Sequence, residues 1–174
     1  MKTCVISFSS RADGNCAAIA DCVQETLGAE GLTRFDFSGL SVHGCGACHC
    51  ECFRQREACP YFADDAFRLN EAAALAGRAV FIVPNYCDFP CSNFFLFNER
   101  SQCCFNGHAE LADRYLAVPK KFIVVSNTGR ENFLAAFRDH VLPRTEPDVC
   151  FLRAAAYHRI SLDGDLMTCE PARA

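Results

Sequence analysis

The residue types most able to do chemistry fall in two stretches of the chain. The first, Ser9-Ser10-Arg11-Ala12-Asp13-Gly14-Asn15-Cys16, sets hydroxyls, a guanidinium and turn-forming residues between an apolar run and an amphipathic one. Where such a loop joins a first strand to a first helix, backbone N–H groups and the helix N-terminus point at one spot and make an anion site. The hydroxyls and the Arg suit a phosphate, with Ser9, Ser10, Arg11, Gly14, Asn15 and Cys16 as candidate binding residues. Neither G-x-G-x-x-G nor G-x-x-x-x-G-K-[ST] occurs, which speaks against a dinucleotide fingerprint and a P-loop NTPase. The second stretch holds Cys45, Cys48, Cys50, Cys52 and Cys59 within fifteen residues. The spacing C-x₂-C-x-C-x-C-x₆-C lets four thiolates converge from one loop. Three readings fit it: an iron–sulfur centre, a structural zinc with His43 or His49 close by, or free thiols and redox-labile disulfides.

Other candidates are weaker. Cys87, Cys91, Cys103 and Cys104 surround a loop at residues 86–90, in which Cys87 or Cys91 is a candidate reactive thiol. The plainer reading makes most of these, with Cys4, Cys22, Cys150 and Cys169, small buried hydrophobes. Phe89, Phe94, Phe95 and Phe97 form either an aromatic wall for substrate or, at helical spacing, core or subunit interface. His108, His140 and His158 are isolated and receive no catalytic role.

The elements that must position these residues alternate. A buried strand is expected over residues 3–8, a helix carrying Ile19, Cys22, Val23, Thr26 and Leu27 after a cap at Asp13 or Asn15, and a second strand over 32–37. Residues 42–60 read as irregular. A helix over 62–76 then precedes a short apolar strand at 79–83, central in a parallel sheet. Helices are expected at 93–104 and 110–116, a strand at 120–126, an amphipathic helix through Phe133, Phe137, His140 and Val141, and a fifth strand at 149–155. Residues 160–168 read as a hairpin turning at Asp163-Gly164, within a C-terminal extension over 156–174. The expected architecture is one α/β domain over residues 1–174: a doubly wound, parallel five-stranded sheet in the flavodoxin-like order 2-1-3-4-5, with helices on both faces.

Composition limits the function classes. The chain has 174 residues and a net charge of −4, without the clustered Lys and Arg that nucleic-acid or anionic-membrane binding needs. No apolar run approaches the ~18 residues of a membrane span, and the N-terminus turns polar too early for a signal peptide, so a cytoplasmic protein is expected. Fourteen Cys would suit a secreted disulfide scaffold, but 51% hydrophobic residues and sixteen Phe provide a core that needs no staples.

Several segments, in order, resemble the NADPH-dependent FMN reductase-like flavodoxin-fold proteins, and in particular their cysteine-bearing iron–sulfur flavoprotein branch. Residues 9–16 look like that family's G-S-P-R-x-x-G-N-T phosphate loop, with Ser10 at its Pro and Cys16 at its Thr. Cys45-Gly46-Ala47-Cys48, Cys59 and Asp64-Asp65 are similar to its C-x-x-C, later C, then D-D pattern. Val83-Pro84-Asn85-Tyr86 resembles its P-x-Y loop along the flavin ring, Phe97-Asn98-Glu99-Arg100 its F-x-D-R, and Ser126-Asn127-Thr128-Gly129 its third flavin loop. Phe95 stands where the family usually has Lys, and Glu51 where it has its third Cys.

The resemblance implies FMN with its phosphate at residues 9–16 and its ring along Pro84, Asn85, Tyr86, Cys87, Asp88, Asn127, Thr128 and Gly129. It implies a four-iron cluster on Cys45, Cys48, Cys52 and Cys59, with zinc as the alternative. It further implies reduction by NAD(P)H, transfer to an unidentified electron acceptor by way of that cluster where one is present, and assembly as a homodimer or homotetramer. Two rival readings stand beside it: a carrier that shuttles electrons without a pyridine nucleotide site, and a zinc-stabilised binding module without flavin.

Overall fold

The computed structural model describes residues 2–46, 48–126, 129–157 and 166–168. Runs rich in β-branched and aromatic residues become strands β1 (Thr3–Ser7), β2 (Leu32–Asp36), β3 (Arg78–Tyr86), β5 (Lys120–Val125) and β6 (Asp148–Leu152). All five pair in parallel, in the order β2-β1-β3-β5-β6. A two-residue β4 (Phe89–Pro90), within a segment that reads as loop in the sequence, folds back antiparallel on the end of β3. With β4 set aside, the parallel strands follow the expected 2-1-3-4-5 order, and the fold is flavodoxin-like.

The helices are α1 (Asn15–Leu27), α2 (Asp65–Leu75), α3 (Ser92–Phe105), α4 (Ala109–Ala117) and α5 (Glu131–Phe137). Successive strand side chains point to opposite faces of a sheet. Ile6, Phe81, Val83, Phe122 and Val124 accordingly enter one core with Leu69 of α2, Phe94 and Phe97 of α3, Tyr115 of α4, and Phe133 and Phe137 of α5. Val5, Val80, Ile82, Val125 and Leu152 enter another with Cys16, Ile19 and Ala20 of α1.

Several boundaries differ from the sequence reading, each for a local reason. The N-cap of α1 is Gly14, without a side-chain cap; Asp13 and Asn15 do not serve, and Asn15 Oδ1 instead accepts from Leu166 N at 2.8 Å. Gly28, at φ 76, ends α1 in a left-handed conformation that a side chain would strain. Helix α2 starts at Asp65 and not at Phe62, because Asp64 caps it by accepting from Ala66 N at 2.9 Å, an arrangement typically worth ~1 kcal/mol. Helix α5 stops at Phe137 and continues as a 3-10 turn over Arg138–His140. Leu166–Thr168 is a 3-10 turn packed on α1 through buried Leu166, in place of the second arm of the expected hairpin. Residues 158–165, the rest of that hairpin, lie outside the described residues.

Candidate functional site

Strand order reverses between β1 and β3, so the loops after them diverge and open a crevice at the carboxyl ends of the strands, where open parallel sheets bind ligands. In the first loop Ser9 is buried, Ser10 to Asp13 are exposed, and Gly14, Asn15 and Cys16 are buried again. Arg11 N donates to Ser9 Oγ at 3.1 Å and curls the chain. A Cβ built on Gly14 would lie 3.4 Å from Arg11 Nε, so the guanidinium rests beside the N-terminus of α1. Two positive features thus share one place, since the N-terminus of a helix carries a partial positive charge. Asp13 lies 3.4 Å from Arg11 but is 83% exposed, so its compensation is heavily screened. An anion would satisfy both features.

The segment entering α3 braces this loop. Asn93 Nδ2 donates to Phe8 O at 2.8 Å and to Ser10 Oγ at 2.9 Å, and Cys91 Sγ donates to Phe8 O at 3.3 Å. Because Ser10 Oγ accepts from Asn93, its own hydrogen remains available to an anion. Burial pushes the Cys16 thiol up to about 12, with a further upward push from Cys91, and burial pushes Cys91 up to about 11. Cys91 is 6% exposed, a buried position that does not favour a reactive thiol. Cys16 offers only a weak S–H donor where the resemblance places a Thr hydroxyl.

Pro84 and Asn85 are buried at the end of β3, and Tyr86 is 54% exposed. Burial raises the Tyr86 phenol, with further upward pushes from Cys16 and Cys91 and an opposing one from Arg11, so the end of β3 lies near the first loop. Cys87 and Asp88 occupy consecutive left-handed positions, φ 51 and 69. Non-glycine residues rarely take this conformation, and it forms the tight turn back into β4. Asn85 Nδ2 donates to Ser126 Oγ at 2.9 Å and to Gly129 O at 3.0 Å, tying the loop after β3 to the loop after β5. Gly129 lets the two loops close up, because a Cβ there would stand 3.1 Å from Asp88 Cγ. The first loop, residues 84–88 and Gly129 therefore come together at the carboxyl end of the sheet. Asn127 and Thr128 lie outside the described residues. Of the aromatic candidates, Phe94 and Phe97 are core, while Phe89 and Phe95 are about half exposed.

The cysteine-rich loop is a separate region. Cys52 and Cys59 turn inward to pack with Cys103, Cys104 and Ala66, whereas Cys45 is exposed and Cys48 half-buried. Among the described residues no group of three or more His, Cys, Asp or Glu stands close enough together to hold a metal ion, and the four-thiolate centre on Cys45, Cys48, Cys52 and Cys59 stays an expectation of the resemblance. The grouping of Cys103 and Cys104 with the ring loop is corrected: both sit at the far end of α3, against the cysteine-rich loop.

The centre of this second region is Arg100, fully buried. It pairs with Asp64 at 2.8 Å and donates to His43 O at 2.7 Å and Tyr61 O at 3.2 Å. Sequence reasoning quoted Asp64 and Arg100 in two separate patterns; the structure joins them. Asn85 and Asn93, the residues that brace the crevice, were missed or left without this role, since single polar residues beside apolar runs carry no periodic signal.

A groove of about 510 Å³ lies elsewhere, against the sheet face beside α1, bordered by Ile19, Val23, Val80, Ile123 and Met167. It reaches Arg78, Lys120 and Asp148 at the starts of β3, β5 and β6, away from the crevice loops. Among the described residues no helix is long and apolar enough to cross a membrane.

No family model matches the chain, and no curated protein matches it. Solved structures do. Smu.1420 from Streptococcus mutans UA159 superposes with a TM-score of 0.66 at 14% identity, over 99% of this chain and 97% of that one. FerB, a flavoenzyme NAD(P)H:(acceptor) oxidoreductase from Paracoccus denitrificans, gives 0.55 at 16% identity, over 99% and 92%. A flavone reductase gives 0.56 at 16% identity, over 88% of this chain and 53% of that one. At these identities the likeness establishes the flavodoxin-like fold.

Proposed function

We propose that the protein is a single-domain, FMN-dependent oxidoreductase that takes electrons from NAD(P)H and passes them to an acceptor. The observation carrying this reading is the uncapped N-terminus of α1 with Arg11 beside it, at the point where strand order reverses. The similarity of fold to FerB and to a flavone reductase, both named for redox work, supports it. FMN, when bound, supplies the redox chemistry itself. The chain's part is to hold and orient. Arg11, the Ser10 hydroxyl and the first N–H groups of α1 hold the phosphate, with Ser9, Gly14, Asn15 and Cys16 shaping the loop. Asn85 fixes the spacing of the two ring loops, Tyr86 offers an exposed aromatic face, and Gly129 keeps Asp88 close. The resemblance adds a homodimer or homotetramer to the reading, and a cytoplasmic setting is the expectation from the sequence.

Titration of FMN with the purified protein, followed by flavin fluorescence, tests the reading. Saturable quenching is expected, together with FMN-dependent oxidation of NADPH or NADH. Quenching without nucleotide oxidation would leave only the electron carrier. Absence of both would remove the flavin reading altogether.

A further inference from the structure

Away from the crevice, the fold brings two thiols from distant parts of the sequence onto one buried cation. Cys59 comes from the cysteine-rich loop and Cys103 from the last turn of α3, and they are 8% and 3% exposed. Arg100 Nε donates to Cys103 Sγ at 3.4 Å, and its Nη2 donates to Cys59 Sγ at 3.8 Å. The two thiols pack in one buried cluster, and Cys103 Sγ itself donates to Arg100 O at 3.1 Å. Arg100 cannot drift, because Asp64, His43 O and Tyr61 O hold it from other sides. Both sulfurs are therefore fixed relative to each other by a common anchor, and thiols held in contact beside a cation are the arrangement that favours disulfide formation. Cys104, next along α3, packs in the same buried cluster, so the test below must tell it from Cys103.

We propose that Cys59 and Cys103 form a redox-active dithiol that closes to an intramolecular disulfide when a hydroperoxide is the oxidant, fastening the cysteine-rich loop to α3. The inference does not depend on flavin binding. In the first step Cys103 sulfur attacks hydrogen peroxide: an S–O bond forms, the O–O bond breaks, and one water leaves. Cys59 sulfur then attacks the Cys103 sulfenic acid: the S–S bond forms, the S–O bond breaks, and a second water leaves. Two thiols and one peroxide give one disulfide and two waters, with two electrons passing from sulfur to oxygen. Each sulfur attacks as the thiolate, which Arg100 stabilises, and its thiol proton leaves on the oxygen that departs as water.

The test is oxidation of the whole protein with hydrogen peroxide, blocking of remaining thiols with iodoacetamide under denaturing conditions, and tryptic peptide mapping. Cys59 falls in the peptide spanning 57–68, and Cys103 and Cys104 in the one spanning 101–114. A linked pair of these peptides, two hydrogens lighter than their sum and lost on dithiothreitol treatment, is expected. Fragmentation of the wild-type pair should place the bridge on Cys103, and Cys104→Ala should retain it while Cys103→Ala and Cys59→Ala lose it. A bridge mapped to Cys104, a first bridge to the 35–54 peptide that carries Cys45, Cys48, Cys50 and Cys52, or complete alkylation after peroxide would each overturn the proposal. The wild-type map decides the matter even where a variant fails to fold.

Discussion

The crevice at the carboxyl ends of the strands and the nest around Arg100 hang on opposite ends of the same helix, and they treat a positive charge in opposite ways. At the N-terminal end of α3, Cys91 and Asn93 brace the first loop, where Arg11 keeps half its side chain in solvent beside an uncapped helix N-terminus. Near its C-terminal end Arg100 is sealed from water and already paired with Asp64, 5% exposed. A charge left at the surface with its demand unmet suits a ligand that comes and goes. One that is met internally is part of the architecture, since a buried ion survives only with its partners in place. Function in the first region should therefore be separable from stability, and in the second it should not.

The largest effect is expected from Arg100→Met. Removing the guanidinium strands the Asp64 carboxylate and leaves the His43 and Tyr61 carbonyls without their donor, at a cost of ~3–5 kcal/mol. The midpoint of urea unfolding reads this directly. An unchanged midpoint would mean that the nest is not structural and would dissolve the contrast.

Acid should act on α3 as a whole. His140 Nδ1 lies 3.1 Å from Tyr115 Oη, its ring 5.2 Å from Phe94 of α3, and burial lowers it to about 4. A base depressed in the folded chain binds fewer protons there than in the unfolded chain. The associated stability is whole above the ordinary value near 6.5, falls as pH drops from there, and is gone near 4. The loss amounts to ~3 kcal/mol. The difference between wild type and His140→Gln in thermal midpoint across that window isolates the effect. Loosening of the crevice at a higher pH than the nest would show that α3 does not couple them.

Arg11→Ala is the counterpart of Arg100→Met. Its side chain makes no core contact, so the unfolding midpoint should move by less than ~0.5 kcal/mol. FMN affinity, measured by fluorescence titration, should fall about tenfold to a hundredfold, the range for a hydrogen bond to a charged group. A stability loss without an affinity loss would reverse the roles assigned to the two regions.

How far each region could be read from the sequence follows from how local its parts are. Strands β1, β3 and β5 are built on continuous apolar runs and could be read directly, and the loop over residues 9–16 is a single contiguous stretch whose place between β1 and α1 could be read with them. Asp64 and Arg100 were each visible in a local pattern, but their ion pair spans two elements and leaves no mark in spacing. Cys103 and Cys104 were misplaced because nearness in sequence was taken for nearness in space. A rise of 1.5 Å per residue along α3 carries Cys103 roughly 18 Å from Cys91. The role of Asn85 was hidden because one amide at the end of an apolar strand shows neither of its two acceptors in the chain order.

The smallest effect is a gain. Cys16 is in the first turn of α1, buried with Ile19 and Ala20, and its thiol stays protonated. Cys16→Thr puts a hydroxyl at that position with little change in volume. Without ligand the hydroxyl is a buried polar group in search of a partner, so the apo-protein should be unchanged or weaker by ~1 kcal/mol. With FMN bound, the same hydroxyl becomes a donor to the phosphate, and the dissociation constant should fall by up to about tenfold. Stability and affinity then move in opposite directions, which is the signature of a region built to be completed by its ligand. Weaker FMN binding in this variant would mean that the anion does not approach the first turn of α1, and the crevice would have to hold its ligand some other way.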